Sequence, residues 1–114
     1  MRRLVTAIVL MLAGASGAVA AGLEGRWSQQ GTEFAGCGAG AEGGLEVDRD
    51  GLVLGETACG FGATAPAGFA GVGGRMTCLV EGTQAMEADV RLRLEGGEAR
   101  LSFDGATPMR FRRC

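Results

Sequence analysis

The sequence predicts an all-β protein, a single small antiparallel meander of about seven strands that is partly or fully closed into a barrel and held by two disulfides. Apolar and polar residues alternate with a period of two over much of the C-terminal half, which is the pattern of half-buried strands. Gly-Gly and Asp-Gly signals separate these runs, and no stretch has a sustained helical period. The four cysteines are the third observation, because small exported domains usually need cross-links.

Residues 1–20 have the parts of a secretory signal peptide. A basic Arg2-Arg3 pair precedes an apolar run, and Ala18-Val19-Ala20 matches an A-x-A cleavage site. Cleavage after Ala20 would release residues 21–114 as one periplasmic or secreted domain. A membrane anchor is the alternative, but small residues dilute the second half of the apolar run. We expect no membrane span in the mature form.

The first strand of the mature chain surrounds the single tryptophan. Trp27 is expected to be a core anchor that closes one end of the sheet. Thr32–Gly44 is glycine-rich, but it lacks the lysine and the following helix of a phosphate-binding P-loop. We interpret it as a loop tethered by Cys37.

A hairpin follows. Leu45–Val47 and Leu52–Leu54 flank Asp48-Arg49-Asp50-Gly51, whose Asp-Gly pair predicts a turn. This loop lacks the further oxygen ligands of a calcium-binding EF-hand. Glu56 would point inward only if the second strand continued past Gly55, and we expect Gly55 to end it.

Cys59–Gly74 is predicted to be a long connection, because it is rich in glycine and alanine. Its cysteine, together with Phe61 and Phe69 as buried aromatic residues, would hold it against the domain. Long loops are frequent binding surfaces.

The remaining strands form two hairpins. Arg75–Val80 and Ala85–Leu94 pair around Glu81-Gly82-Thr83, and Gly96-Gly97 leads into the next strand. A last strand contains Met109–Arg112.

The Gly96-Gly97 turn allows two registers. A two-residue turn places Glu95 opposite Glu98 and Arg93 opposite Arg100, and each like-charged pair destabilises by about 0.2–1 kcal/mol. A four-residue turn would place Glu95 opposite Arg100. Both registers bury the same face. We favour the two-residue turn, because exposed charges are screened and a diagonal Glu95–Arg100 contact survives.

The four cysteines are predicted to form two disulfides: Cys37, Cys59, Cys78 and Cys114. Sequence alone cannot select among the three possible pairings. We favour the sequential pairing, which closes two separate loops: Cys37–Cys59 and Cys78–Cys114. One difficulty is that Cys78 shares a face with Met76, whereas Cys114 falls on the face opposite Phe111. No C-x-x-C pair and no histidine supports a metal site.

Composition limits the chemistry. The chain has no His, Lys or Tyr, which removes the usual general base, the Schiff-base amine and histidine-activated nucleophiles. Carboxylate pairs such as Glu87/Asp89 and Asp48/Asp50 remain and can hydrolyse glycosides. Glu87 and Asp89 face outward, however, and a barrel this small leaves little room for a sugar cleft. We expect no enzymatic activity, no cofactor and no metal.

Charge also limits the partners. The full chain has a net charge of −2, and removal of the signal peptide makes it more negative. A nucleic-acid partner is therefore not expected. The basic tail with Arg110 and Arg112 has an ordinary explanation as the solvent face of the last strand.

Gly25-Arg26-Trp27 resembles the G-x-W opening of lipocalin-like (calycin) barrels. The resemblance implies that an arginine near the last strand, Arg110 or Arg112, packs over Trp27. In size and export the chain is similar to the alkaline metalloprotease inhibitors, small periplasmic barrels that thread an N-terminal arm into a protease cleft. Only Ala21–Glu24 precede the motif here. The chain also resembles uncharacterised exported bacterial β proteins with disulfides.

We therefore expect an exported protein with a non-enzymatic binding role, whose partner is a protein or an envelope component. An inhibitor of a secreted protease or lysozyme is one alternative, and a structural or stress-related envelope protein is another. The candidate binding surface consists of five residues: Trp27, Phe61, Phe69, Arg110 and Arg112.

Overall fold

The computed structural model describes residues 22–29, 37 and 43–114. Eight antiparallel strands form a closed barrel, in which each strand pairs with the next and β8 returns to β1. The strands are β1 (Gly25–Gln29), β2 (Gly44–Val47), β3 (Gly51–Leu54), β4 (Thr57–Gly60), β5 (Gly71–Val80), β6 (Gln84–Glu95), β7 (Glu98–Phe103) and β8 (Met109–Arg113). The predicted signal peptide and most of the predicted Thr32–Gly44 loop lie outside the described residues.

The all-β meander is confirmed, and the barrel is closed. Two predicted boundaries are wrong. The second half of β4 and the start of β5 fall inside Cys59–Gly74, so the connection there is residues 61–70. β4 is only four residues long and half glycine or alanine, so it lacks the alternation that identifies the other strands. Its neighbours β3 and β5 hold it in the sheet.

Large apolar side chains fill the interior, as expected for an eight-stranded barrel. They come from nearly every strand, and the largest fully buried ones are Trp27, Phe111, Leu23, Leu45, Leu52, Leu92, Leu101 and Val90. In the described part of the chain, no helix is long and apolar enough to cross a membrane.

The segment before β1 closes one end of the barrel. Leu23 is fully buried and donates its N–H to the Phe69 carbonyl at 2.9 Å. The indole N–H of Trp27 donates to the Leu23 carbonyl at 3.0 Å. Gly68 donates its N–H to the Glu24 carboxylate at 3.1 Å. Trp27 is therefore a core anchor, as predicted.

Arg113, rather than Arg110 or Arg112, lies over the Trp27 ring. Its guanidinium carbon is 4.1 Å from the ring centroid. The same guanidinium donates to the carbonyls of Gly22 at 2.6 Å and Glu24 at 3.2 Å. Arg113 follows Arg112 by one residue, and it reaches Trp27 because the two are directly paired across β8 and β1.

The two-residue turn between β6 and β7 is confirmed. Glu95 is paired with Glu98 and Arg93 with Arg100, and Gly96-Gly97 supplies positive φ at both turn positions. The predicted diagonal contact is present, because an Arg100 nitrogen lies 2.9 Å from a Glu95 oxygen.

The predicted β2–β3 hairpin is also present. Asp48 Oδ1 accepts hydrogen bonds from the N–H groups of Asp50 at 2.8 Å and Gly51 at 2.9 Å. β3 ends before Gly55, which has a φ of 59°, and Glu56 is exposed. Both observations confirm the prediction that Gly55 ends the strand before Glu56.

The favoured disulfide pairing is wrong: the bonds are Cys59–Cys78 and Cys37–Cys114. Cys59 and Cys78 lie directly opposite each other on β4 and β5, with both side chains buried and 4.1 Å between their Cα atoms. Cys114 is exposed after the end of β8. Because it is not bonded to Cys78, the two cysteines do not need to lie on the same face of the sheet. The pairing was not predictable without recognising β4.

Candidate functional site

The outer face of the barrel carries a continuous row of apolar residues, here named the outer apolar row: Val53, Ala58, Leu79 and Ala85. Each is paired directly with the next across β3, β4, β5 and β6. Val53 is 39% exposed and Leu79 43%. Polar residues are the rule on the solvent face of an antiparallel sheet, and single apolar exceptions are common. Four adjacent ones form a contiguous patch, and contiguous apolar patches, unlike scattered single residues, can mark interaction sites.

A shallow groove of about 660 Å³ lies along this row. Part of its floor carries no side chains, because Gly51 and Gly60 are paired across β3 and β4. A Cβ atom on Gly51 would lie 2.4 Å from the Cys59 carbonyl oxygen, so the strands could not keep this spacing with a larger residue. The groove therefore depends on glycine at position 51.

The rim of the groove is charged. Arg26 and Glu46 form an ion pair at 3.9 Å on one side. Asp48 and Asp50 lie at one end, where Asp50 also accepts a hydrogen bond from the Thr64 hydroxyl at 2.7 Å. Three carboxylates and one guanidinium make this rim net acidic around an apolar floor.

A second charged region covers β6, β7 and β8. Arg93, Arg100 and Arg110 stand side by side in register, an arrangement of like charges that is unfavourable alone. Glu95 and Glu98 lie between them: Arg100 approaches Glu95 at 2.9 Å, and Arg110 approaches Glu98 at 3.1 Å. The hydrogen bond from Arg110, with the charges of Arg110 and Arg100, holds the pKa of Glu98 below its ordinary value.

The residues of the carboxylate pairs considered for catalysis take part in turn, ion-pair and backbone contacts. Asp48 caps its own turn. Glu87 forms an ion pair with Arg75 at 3.3 Å on the outer face. Asp89 donates its backbone N–H to the Asp104 carboxylate at 2.9 Å. Within residues 22–29, 37 and 43–114, no group of three or more His, Cys, Asp or Glu side chains could hold a metal ion.

The five residues of the predicted binding surface do not share one surface. Trp27 is fully buried and Phe69 is 6% exposed. Phe61 is half-buried and meets Phe69 edge to face, with ring centroids 5.8 Å apart. Arg110 and Arg112 are exposed on the outer face of β8. The predicted surface thus combines core residues with surface residues.

The sequence did contain a signal for the outer apolar row. Val53 lies within Leu52-Val53-Leu54 and Leu79 within Cys78-Leu79-Val80. In each triplet an apolar residue occupies the outward position, where alternation would place a polar one. That the two triplets lie side by side depends on the strand register, which only the structure provides.

No family model, curated protein or solved structure matches the chain.

Proposed function

We propose that this chain is an exported, non-enzymatic binding module that contacts a partner protein through the outer face of its barrel. The outer apolar row carries the proposal. The interior is occupied by the protein's own side chains, so a partner is met on the outside. An apolar centre with a polar rim is the usual anatomy of a protein interface.

The groove also suggests what the partner presents. An apolar side chain would cover Val53 and Leu79, and the acidic rim formed by Asp48 and Asp50 favours a neighbouring basic residue. The partner segment therefore contains an apolar residue flanked by arginine or lysine.

The test is capture of a partner from an extract of the cell envelope, with quantification by mass spectrometry. Val53→Glu and Leu79→Glu place a charge within the outer apolar row and should reduce capture at least about tenfold, as expected for the loss of a central apolar contact. Ala106→Glu adds the same charge in the exposed β7–β8 connection and should capture as well as wild type.

Circular dichroism and thermal unfolding establish that the three variants are folded. A protein captured equally by all of them would contradict the proposal, since its binding would not involve the row. Failure of the wild-type protein to capture any stoichiometric partner would contradict it as well.

Inhibition of a protease by an N-terminal arm receives no support from this geometry. Leu23 is fully buried, and the carbonyls of Gly22 and Glu24 are both bound by Arg113. This segment is part of the barrel end rather than a projecting arm.

A further inference from the structure

One edge of β5 is open. β5 extends from Gly71 to Val80, but β4 pairs only with Thr77–Val80. Among the described residues, no strand or loop backbone bonds to the edge of Gly71–Met76 that faces away from β6. This edge is here named the β5 edge. Unpaired N–H and C=O groups of this kind are a template for an additional strand.

The chain connecting β4 to β5 does not cover this edge. Residues 61–65 bond instead to the β2–β3 turn, where Phe61 and Ala65 donate N–H groups to the Asp50 and Arg49 carbonyls. The following residues cross the barrel end, where the Phe69 carbonyl accepts from Leu23. The path of this loop therefore leaves the edge uncovered.

Glycine dominates the β5 edge. Gly71, Gly73 and Gly74 are all exposed. Cβ atoms added at Gly71 and Gly73 would meet only ordinary contacts, at 3.7 Å and 3.5 Å, and neither residue has a positive φ. Packing against the described residues thus does not require glycine at these two positions. Glycine inside a strand often marks a place where another backbone approaches closely.

Two arginines of β6 lie directly beside these glycines. Arg91 is paired with Gly73 and Arg93 with Gly71. The Cγ atom of Arg91 lies 3.5 Å from the point a Gly73 Cβ would occupy, and that of Arg93 lies 4.0 Å from the Gly71 point. Together with Asp89 they line a concavity of about 520 Å³.

The charge of this concavity is positive. Arg91 has no ion pair with any described residue. Arg93 has its nearest carboxylate, Glu95, at 4.0 Å, which is a weak, exposed pair. Asp89 supplies the single negative charge among the lining residues. Arginine pairs strongly with carboxylates in a two-point geometry.

We propose that the β5 edge binds an extended acidic segment of a partner protein, which adds to the barrel as a strand beside β5. The added backbone would bond to Gly71–Met76, and its carboxylates would meet Arg91 and Arg93. Neighbouring strands are about 4.8 Å apart, so the added strand lies about 10 Å from β6. The arginines reach it only because no side chain stands between them at Gly71 and Gly73.

The geometry also specifies the sequence of the segment. Arg91 and Arg93 are two residues apart and point to the same face. Acidic residues at alternate positions, Glu-x-Glu, match that spacing, because alternate side chains of a strand share a face. This site is separate from the outer apolar row, and binding here does not depend on the function proposed for that row.

The probe is a fluorescent peptide of about seven residues, a usual strand length, with Glu and Thr alternating. A peptide of the same composition with contiguous glutamates is one control, and a version with backbone N-methyl groups on one edge is the other. Fluorescence anisotropy should show binding of the alternating peptide only, weakening as salt is raised. Equal binding of the contiguous or the N-methylated peptide, or no binding of the alternating peptide, would overturn the proposal.

Variants locate the site. Arg91→Gln and Arg93→Gln should each weaken binding about tenfold, as expected for one charge-assisted contact. Gly73→Val should weaken it with both arginines intact. Arg112→Gln removes the same charge on the outer face of β8 and should have no effect. If Arg91→Gln and Gly73→Val bind like wild type, the site is elsewhere.

Two further measurements separate this proposal from others. Leu79→Glu should bind the alternating peptide normally even where it abolishes partner capture, so the two proposals can fail independently. Size-exclusion chromatography over a range of protein concentrations tests whether a second copy occupies the edge. Concentration-dependent dimers that Gly73→Val abolishes would replace the acidic segment with a second copy of the chain.

Discussion

Gly51 and Gly60 face each other across β3 and β4, yet their surroundings differ. A Cβ on Gly51 would lie 2.4 Å from a backbone oxygen of Cys59, whereas nothing lies within 4 Å of the Cβ position at Gly60. Gly51→Ala should therefore destabilise the barrel by about 1–3 kcal/mol through a backbone shift. Gly60→Ala is the matched control and should be neutral or stabilising by up to about 1 kcal/mol, because it restricts the unfolded chain. Urea denaturation measures both, and equal losses would contradict the assigned contact.

Arg113 has a structural role that its neighbour does not share. It stacks on Trp27 and donates to two carbonyls of the segment before β1. Arg113→Ala should reduce the free energy of unfolding by about 1–3 kcal/mol, from the lost hydrogen bonds and the cation–π contact.

Arg112→Ala is the control for Arg113→Ala, because Arg112 is exposed on the same strand. It should reduce stability less, as measured by thermal unfolding. A larger loss for Arg112→Ala would mean that Arg112 holds the barrel end. Tryptophan fluorescence gives a second measurement, since only Arg113→Ala removes a cation from the Trp27 ring.

On β6, β7 and β8 the side-by-side arginines Arg93, Arg100 and Arg110 are stabilised by Glu95 and Glu98, which lie between them. Arg110 donates to Glu98 and keeps its pKa below the ordinary value. Since the folded-state pKa is the lower one, the Glu98 interactions stabilise the fold above the unfolded-state pKa and are lost as pH falls through the folded-state pKa. The melting temperatures of wild type and Glu98→Gln should therefore differ at neutral pH and converge in acid.

A double-mutant cycle assigns this effect to the pair. In an Arg110→Gln background, Glu98→Gln should have a smaller effect at neutral pH than in wild type, because the main partner is already absent. If the two substitutions are additive, Glu98 does not act through Arg110.

The long strands were predictable because they alternate. Val90, Leu92 and Leu101 fall on the buried face as expected, and the favoured two-residue turn at Gly96-Gly97 sets their register. β4 was not predictable, because Thr57–Gly60 has too few large side chains to show a pattern. Its position follows from β3 and β5, that is, from contacts remote in sequence. The same reason explains why the sequence predicts a loop at residues 71–74, the first part of the β5 edge.

The site was predicted less well than the fold. The predicted binding surface combines Trp27 with the aromatic residues of the Cys59–Gly74 loop, but Trp27 and Phe69 are needed in the interior. Val53 and Leu79 become one patch only when β3, β4 and β5 align. The strand register decides which outward-facing residues of neighbouring strands form one patch. A single sequence constrains that register only at tight turns.

The barrel is closed by the pairing of its first strand, β1, with its last strand, β8, here named the β1–β8 seam. Cys37–Cys114 ties the chain after β1 to the end of β8 across 77 residues, whereas Cys59–Cys78 spans 19. Restriction of the unfolded chain gives about 4.5 kcal/mol for the longer bridge and about 3 kcal/mol for the shorter one.

Accessibility separates the two bridges. Cys114 is exposed, whereas Cys59 and Cys78 are 3% and 1% exposed, and exchange requires a thiolate to reach the sulfur. Mild reductant should therefore open Cys37–Cys114 first, as shown by differential alkylation and mass spectrometry. The denaturation midpoint of the partly reduced protein should fall by an amount equivalent to about 4.5 kcal/mol, while the Cys59–Cys78 peptide stays oxidised until the barrel unfolds. Cleavage of the two bridges at the same rate would mean that the barrel opens along β4 and β5 as readily as at its seam.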